Sequence, residues 1–360
     1  MIKEKYSVIG VMSGTSLDGV DLAHITFIKG IVWRFTINTS QTIAYSKVWF
    51  DKLKTVTHKT LAELDQLDIE YSAFLAQTIK QFITRHNITQ IDAVCSHGHT
   101  ALHQPLNGVT YQIGNLECIS DILDSIVVCD FRIQDVQLGG QGAPLVPIGD
   151  KLLFSEYDYC INLGGFANVS TTIEKERIAF DICPANNVLN EYVRTLGRDF
   201  DNAGKIAQSG TLNETLLKQL NALEFYAQTY PKSLGVEWTE ANIYPLIDSF
   251  NLPIKDILKT MVEHIAIQIS RVINTTKTPS VLITGGGVYN TYLLSRIEHL
   301  SATKITVPEP KIIEFKEALI FGFLGVLRLR NEINCLKSVT GAGRDHSSGK
   351  IYTPQNQQIC

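Results

Sequence analysis

Apolar and polar positions alternate through the first forty residues. Residues 6–12 read as a strand that runs into a glycine-rich turn. Residues 22–28 and 31–37 read as two more strands, separated by the hairpin signal Lys29-Gly30. Between Thr60 and Arg85 the period becomes helical, with Leu64, Leu67, Tyr71, Phe74, Leu75, Thr78, Ile79 and Phe82 at steps of three and four. Short strands are expected at 91–96 and 126–129, with a helix around 116–123 between them.

A second stretch echoes the first. Residues 159–170 again read as strand, glycine turn, strand, a further strand covers 177–180, and Gly164 follows Gly14 by 150 positions (164 − 14). Two similarly built α/β domains are the expectation. The strongest helical period runs over 254–273, where Ile257, Leu258, Met261, Val262, Ile265 and Ile269 share one face. A strand at 281–284, the triplet Gly285-Gly286-Gly287 and a helix from about Tyr289 follow, then a very apolar helix over 315–329. Linkers are expected at 139–147 and near Cys335.

Composition narrows the class. The 360 residues are 44% hydrophobic and 19% charged, enough for a large core and about two domains of roughly 100–200 residues each. A formal charge of −4 gives no reason to expect nucleic acid as a partner. The apolar run at 318–327 is about half of the ~20 residues a membrane span needs, and residues 1–10 contain no apolar signal-peptide core. The seven cysteines are scattered and form no C-x-x-C pair. They read as reduced core thiols, so a cytoplasmic location without membrane partners is expected.

Residues 10–21, GVMSGTSLDGVD, have the make-up of an anion cradle. Gly14 and Gly19 permit positive φ, so successive backbone N–H groups can converge on phosphate oxygens. Ser13, Thr15 and Ser16 add hydroxyl donors, and Asp18 or Asp21 could hold a hydrated Mg²⁺; the alternative is a polar hairpin turn. Residues 162–168, with Asn162, Gly164, Gly165 and Asn168, could form a second phosphate turn. Gly285, Gly286 and Gly287 leave room for a base or ribose against bare backbone, or make only a tight connection. A nucleotide held across an interdomain cleft accounts for all three. Asp181, at a strand end, suits a general base for water or a sugar hydroxyl, or else an N-cap or Asx-turn acceptor for a helix near Asn187. Glu317 could orient a substrate or sit in the solvated first turn of its helix. Cys95, His97 and His99 alternate along an expected strand, with His103 beyond, and on one face could serve a zinc ion, although the usual ligand spacings are absent.

The opening segment, SHGHTALHQP (96–105), QIGN (112–115), VVCDFRIQDVQLGGQGAPLVP (127–147), NLGGFANVS (162–170), FDICPANN (180–187), YPKSLG (230–235) and LITGGGVYN (282–290) resemble the anhydro-N-acetylmuramic acid kinases. They occur in that family's order over most of the chain. The resemblance implies the α/β fold shared by sugar kinases, actin and the heat-shock chaperone ATPases. That fold has two actin/hexokinase-like (ribonuclease H-like) domains with an ATP cleft between them, divided here as 1–133 plus about 337–360, and 134–336. It also implies a reaction in which Mg-ATP and water convert 1,6-anhydro-N-acetylmuramic acid, a cell-wall turnover product, into N-acetylmuramic acid 6-phosphate.

Carried over by position, Ser13, Gly14, Thr15, Ser16, Leu17, Asp18, Gly19, Val20 and Asp21 would bind ATP phosphates, with Asp18 and Asp21 toward Mg²⁺. Asn162, Gly164, Gly165 and Asn168 would do the same, and Gly285–Gly287 would support the adenosine. Asp181 would be the catalytic base, joined by Glu317, with His97, Arg132, Pro184 and Asn186 on the anhydro-sugar. Lys205 or Arg132 would neutralise phosphoryl charge, and a homodimer is implied. The chain departs from the family pattern at His99, where Gln is frequent, at Asn115, where Asp is usual, and at Cys183 and Ala185, which replace two glycines and are expected to reshape the sugar pocket. Other readings are a kinase for another 1,6-anhydro-sugar such as levoglucosan, a metal-dependent hydrolase using Cys95, His97 and His99, and a nucleotide-binding sensor without turnover.

Overall fold

The computed structural model describes residues 3–14, 17–301 and 303–355. The chain forms two compact units, Met1–Leu153 with Phe315–Cys360, and Phe154–Glu314. Residues 134–153 and 315–336 therefore lie in the first unit, where the division drawn from the sequence gave them to the second. Packing is the reason: Gly149, in the helix Val146–Leu153, abuts the side chain of Ile320 in the helix Pro310–Leu329.

The first unit carries β1 (Lys5–Ser13), β2 (Gly19–Lys29), β3 (Trp33–Ala44), β4 (Ala93–Gln104), β5 (Val109–Ile113), β6 (Val127–Cys129) and, from the chain's end, β12 (Lys350–Tyr352). Their order is β12-β6-β4-β1-β2-β3, with β5 paired to β4. β1, β2 and β3 form an antiparallel meander, and β1 pairs in parallel with β4, as β4 does with β6. The second unit repeats this plan with β7 (Tyr159–Leu163), β8 (Phe166–Ile173), β9 (Glu176–Pro184), β10 (Val281–Thr284) and β11 (Ile305–Thr306), in the order β11-β10-β7-β8-β9. Again three strands meander, and the first of them pairs in parallel with β10, as β10 does with β11. The duplication suggested by the two glycine turns is thus present at the level of topology, and both sheets have the strand order of the actin/hexokinase-like fold.

Local sequence explains the main helices. Thr60 caps the helix Leu61–Arg85 through a capping box, with the Glu63 carboxylate accepting from the Thr60 N–H at 2.8 Å. The apolar stripe of that helix buries Leu64, Leu67, Tyr71, Leu75 and Ile79 against Ile9, Val11, Val20 and Leu22 of the first sheet. The opposite face of the sheet receives the helix Pro310–Leu329, with Phe323 packed 5.3 Å from Phe27. This helix breaks at Phe315 (φ −114°, ψ 17°), and the boundary between the units falls there. Beyond the break it approaches the sheet closely enough to require glycine. A Cβ on Gly10 would stand 2.0 Å from the Ala318 carbonyl oxygen, and a Cβ on Gly325 would stand 2.2 Å from Cys95 Sγ.

Gly10→Ala places a methyl group against backbone that cannot swing away. We expect a loss of about 1–3 kcal/mol or more, read as a lowered urea midpoint at unchanged slope; an unchanged midpoint would show that the helix can recede.

Candidate active site

In the first unit, the residues singled out in the sequence gather at the ends of β1, β2 and β4. Gly14, Leu17 and Asp18 lie between β1 and β2, and Thr15 and Ser16 lie outside the described residues. Leu17 adopts the left-handed conformation (φ 60°), and its N–H donates to the Gly14 carbonyl. Gly19 is close to extended, so it is required not for its φ but because a Cβ would meet the Ile43 carbonyl of β3 at 2.4 Å. Asp18 is exposed, while Asp21 is half-buried and accepts from Thr42 Oγ1 at 2.5 Å. Ser13 turns inward: it is 2% exposed, and its Oγ bonds the Tyr45 hydroxyl at 2.6 Å and His99 Nδ1 at 2.8 Å. Tyr45 continues the chain to the hydroxyl of Tyr71 at 2.7 Å.

The position of His99 follows from a bulge. Val11 pairs with Ser96 but Ser13 pairs with His99, so β4 carries one extra residue, with Gly98 left-handed at φ 73°. An extra residue reverses the alternation of faces. Cys95 and His97 therefore meet the helix Pro310–Leu329, with His97 4.6 Å from Phe321, whereas His99 faces Tyr71 on the other side of the sheet.

His97 supports Arg132. The Arg132 Nε donates to His97 Nε2 at 2.8 Å, which leaves the imidazole proton on Nδ1, donated to the Gly98 carbonyl. Desolvation, reinforced by Arg132, holds this histidine neutral, well below its usual range. Arg132 also donates through its terminal NH₂ to the Gly142 carbonyl. Burial lowers its own pKa to about 10, and Glu317 is the strongest opposing charge. Glu317 follows the Phe315 break on the helix Pro310–Leu329. Its carboxyl is raised, chiefly by desolvation and further by Asp21, while Arg132 acts in the other direction. Beside it, Lys316 and Asp150 form a buried ion pair at 2.8 Å that fixes this end of the helix.

In the second unit the sheet register assembles the site. Thr284 of β10 pairs with Asn162 of β7, Asn162 with Asn168 of β8, and Asn168 with Asp181 of β9. Directly paired residues share a face, so these four polar side chains form one row. Ile161, Leu163, Ala167, Val169 and Ile283 point the other way, into the unit's hydrophobic cluster. Asn162 stands between the two glycine turns: a Cβ on Gly285 would lie 2.5 Å from its Oδ1, and one on Gly164 3.1 Å from its Nδ2. The carbonyls of Gly164 and Gly165 accept the N–H groups of Ala185, Asn186 and Asn187, tying the turn to the helix Asn186–Arg194. The Asn186 Nδ2 donates to the Leu163 carbonyl, and Pro184 is buried at the end of β9. A Cβ on Gly286 would meet nothing within 4 Å, and Gly165 is exposed. Bare, reachable backbone of this kind suits a nucleotide, and the carboxylates of Asp18 and Asp21 are the hard oxygen donors that Mg²⁺ takes.

Asp181 is held by the segment 230–235. Its N–H donates to the Lys232 carbonyl, and its Oδ2 accepts from the Leu234 N–H at 2.7 Å. Among the described residues its Oδ1 has no hydrogen-bond partner. Desolvation raises the carboxyl, and the Leu234 N–H opposes it. Lys205 is exposed at the start of the helix Lys205–Ser209.

Residues 6–354 match the pattern of the family described as anhydro-N-acetylmuramic acid kinase. The chain belongs to the anhydro-N-acetylmuramic acid kinase family. An anhydro-N-acetylmuramic acid kinase of Saccharophagus degradans is 34% identical, with 96% of this chain and 98% of that one aligned. One of Vibrio parahaemolyticus is 31% identical over the same shares. Among solved structures, the activator of the 2-hydroxyisocaproyl-CoA dehydratase from Clostridium difficile superposes with a TM-score of 0.46 at 14% identity, covering 90% of this chain and 96% of that one. As a member of the anhydro-N-acetylmuramic acid kinase family the chain is a sugar kinase that uses ATP, and no helix among the described residues is long and apolar enough to cross a membrane.

Several expectations are corrected. Cys95, His97 and His99 do not share a face, because the bulge at Gly98 sends His99 across the sheet; the metal-hydrolase reading loses its ligand set. The side chains of Cys183 and Ala185, expected at the sugar pocket, are fully buried in the second unit's core. Asp181 is no helix cap: β9 runs on to Pro184, and Ala185 precedes the helix. Three contributors went unassigned in the sequence. The Leu234 N–H lies in a segment recognised only by resemblance, Lys316 was visible as a charge in an apolar helix, and Tyr45 had no signal.

Ser13→Ala deletes the hydroxyl that joins Tyr45 to His99. We expect a stability loss of about 1–3 kcal/mol with ATP affinity nearly unchanged in equilibrium binding; loss of affinity at unchanged stability would instead assign the hydroxyl to phosphate.

Proposed function

We propose that this chain hydrolytically opens 1,6-anhydro-N-acetylmuramic acid and phosphorylates it to N-acetylmuramic acid 6-phosphate, in the recycling of cell-wall peptidoglycan. The observation that carries the reading is the row of Asn162, Asn168 and Asp181, with one oxygen of the base tethered and the other open. Mg-ATP supplies the phosphoryl group and, through the ion, part of the charge neutralisation. Asp181 Oδ1 takes the proton of a water that attacks carbon 1 of the bridged acetal, and the oxygen on carbon 6 leaves. Phosphorylation of that oxygen replaces the general acid a glycosidase provides with its second carboxyl group. Arg132, oriented by His97, and Glu317 bind the sugar, and the backbone of the glycine turns with Asn162 and Asn168 orients the phosphates. Asp18 and Asp21 are our choice for Mg²⁺. Family resemblance supports a cytoplasmic homodimer, and the charge of −4 supports the absence of a nucleic-acid partner.

The test is ADP release with the anhydro-muramic sugar, with levoglucosan and with no sugar, in heavy-oxygen water. Turnover with the muramic sugar alone, with the heavy atom on carbon 1 and none in the phosphate, is the expected result. Label in the phosphate would mean simple ATP hydrolysis.

The state of Asp181 also sets a pH dependence. A base works ionised, and its pKa is raised above the ordinary value of about 3.9, so kcat/KM falls on acidification before an exposed aspartate would protonate. Asp181→Asn should lose about 10²–10⁴-fold in kcat and lack this acid limb, while ATP affinity stays close to wild type. Near-normal turnover would exclude Asp181 as the base.

A further inference from the structure

Behind Arg132 lies a group of side chains that the kinase reaction does not use. Asp135, Cys335 and His346 are all buried, at 0%, 1% and 6% exposure, and one ligand atom of each lies within 4.8 Å of the others. Cys335 and His346 face each other across a two-residue antiparallel bridge, with N–H to carbonyl bonds of 3.1 Å in both directions. Asp135 comes from the helix Ile133–Gln137. Its Oδ1 lies 3.4 Å from Cys335 Sγ and 3.6 Å from His346 Nε2.

The histidine is the telling member. Its Nδ1 is 3.1 Å from the Arg344 carbonyl, which can only accept, so Nδ1 carries a proton, and in the neutral ring Nε2 presents a lone pair. That Nε2 is buried and has no hydrogen-bond partner among the described residues. In the neutral form it faces a carboxylate oxygen, so two acceptors confront each other with no donor between them. A proton shared between them is a poor remedy, because 3.6 Å is too long for a hydrogen bond.

We propose that Asp135 Oδ1, Cys335 Sγ and His346 Nε2 form a structural zinc site. A tetrahedral Zn²⁺, with bonds of about 2.3 Å to sulfur and about 2.0–2.2 Å to nitrogen and oxygen, separates its ligand atoms by about 3.4–3.6 Å. The two distances given above match this spacing. The outer contacts are also those of a metal site. Thr340 Oγ1 donates to Asp135 Oδ1 at 2.7 Å, the Gly142 N–H donates to its Oδ2 at 2.7 Å, and the Arg344 carbonyl fixes the histidine tautomer. In the metal-free form the Cys335 thiol donates to Asp135; binding releases that proton to solvent and leaves the thiolate on the metal. Three protein ligands would leave the fourth position to water, as in open zinc sites. Because all three ligands are buried, the ion's part is to join the segment 335–346 to the turn at Gly142, whose carbonyl accepts from Arg132.

The full-length chain is titrated with Zn²⁺ against a chromogenic chelator, and separately with Co²⁺. About one ion per chain, a thiolate-to-cobalt charge-transfer band and a higher melting temperature are expected. Cys335→Ser, nearly isosteric, should abolish the band, and His346→Gln should weaken binding at least tenfold while retaining native circular dichroism. Failure of the wild type to compete with the chelator would overturn the proposal. So would a cobalt band of equal strength in Cys335→Ser, which would place the metal on other thiols.

Discussion

The first unit is organised by the approach of one helix to one sheet at backbone range. Gly10 on β1 and Gly325 on the helix Pro310–Leu329 remove the side chains that would hold these layers apart. With those methylenes absent, the Ala318 carbonyl reaches the strand, and the side chains on either side of the contact interlock. Phe321 meets His97 and Phe131, and Phe323 meets Phe27 and Trp33. Glu317, one residue before Ala318, is thereby fixed relative to β4 and to Arg132. The glycines that attract notice in a sequence are those in turns, yet these two govern where the charged side chains stand.

The two sheets solve a similar problem in different chemistry. In the second unit, polar function is written directly into strand pairing, because Asn162, Asn168 and Asp181 are neighbours across the ladder. In the first, the polar groups come from a hairpin tip, a bulged strand, a helix start and a helix kink. Interior hydrogen bonds through Ser13, Tyr45, Tyr71 and His99 then hold the hairpin in place.

Much of this was legible in the sequence. Alternation located β1, β2, β7 and β8, and helical period located the helices Leu61–Arg85 and Ile254–Ile273 to within a residue. Asp181 and the glycine turns stood out by residue type and setting. Less legible was whatever depends on a one-residue shift. The bulge at Gly98 reverses the alternation that made Cys95, His97 and His99 look like one face, and only the pairing of β4 with β1 reveals it. The inward turn of Ser13 escaped for a related reason, since a serine in a glycine-rich hairpin has the same local signature whether it faces a ligand or a tyrosine. The two substitutions near Asp181 drew attention by sequence proximity, but Cys183 and Ala185 lie in the hydrophobic cluster.

The strand that carries Asp181 has a bulge of its own. Asn168 pairs with Asp181 and Ala167 with Cys183, so Ile182 is supernumerary, and both Ile182 and Cys183 reach the core while Asp181 stays with the polar row. The chain is therefore unequally tolerant of changes in length. At Glu174-Lys175, between β8 and β9, an added residue only enlarges a surface turn. Within β9, deleting one residue on the N-terminal side of Asp181 carries the carboxylate to the greasy side of the sheet. Homologues that drift in length should therefore vary at the turn and keep the count from Glu176 to Pro184 constant.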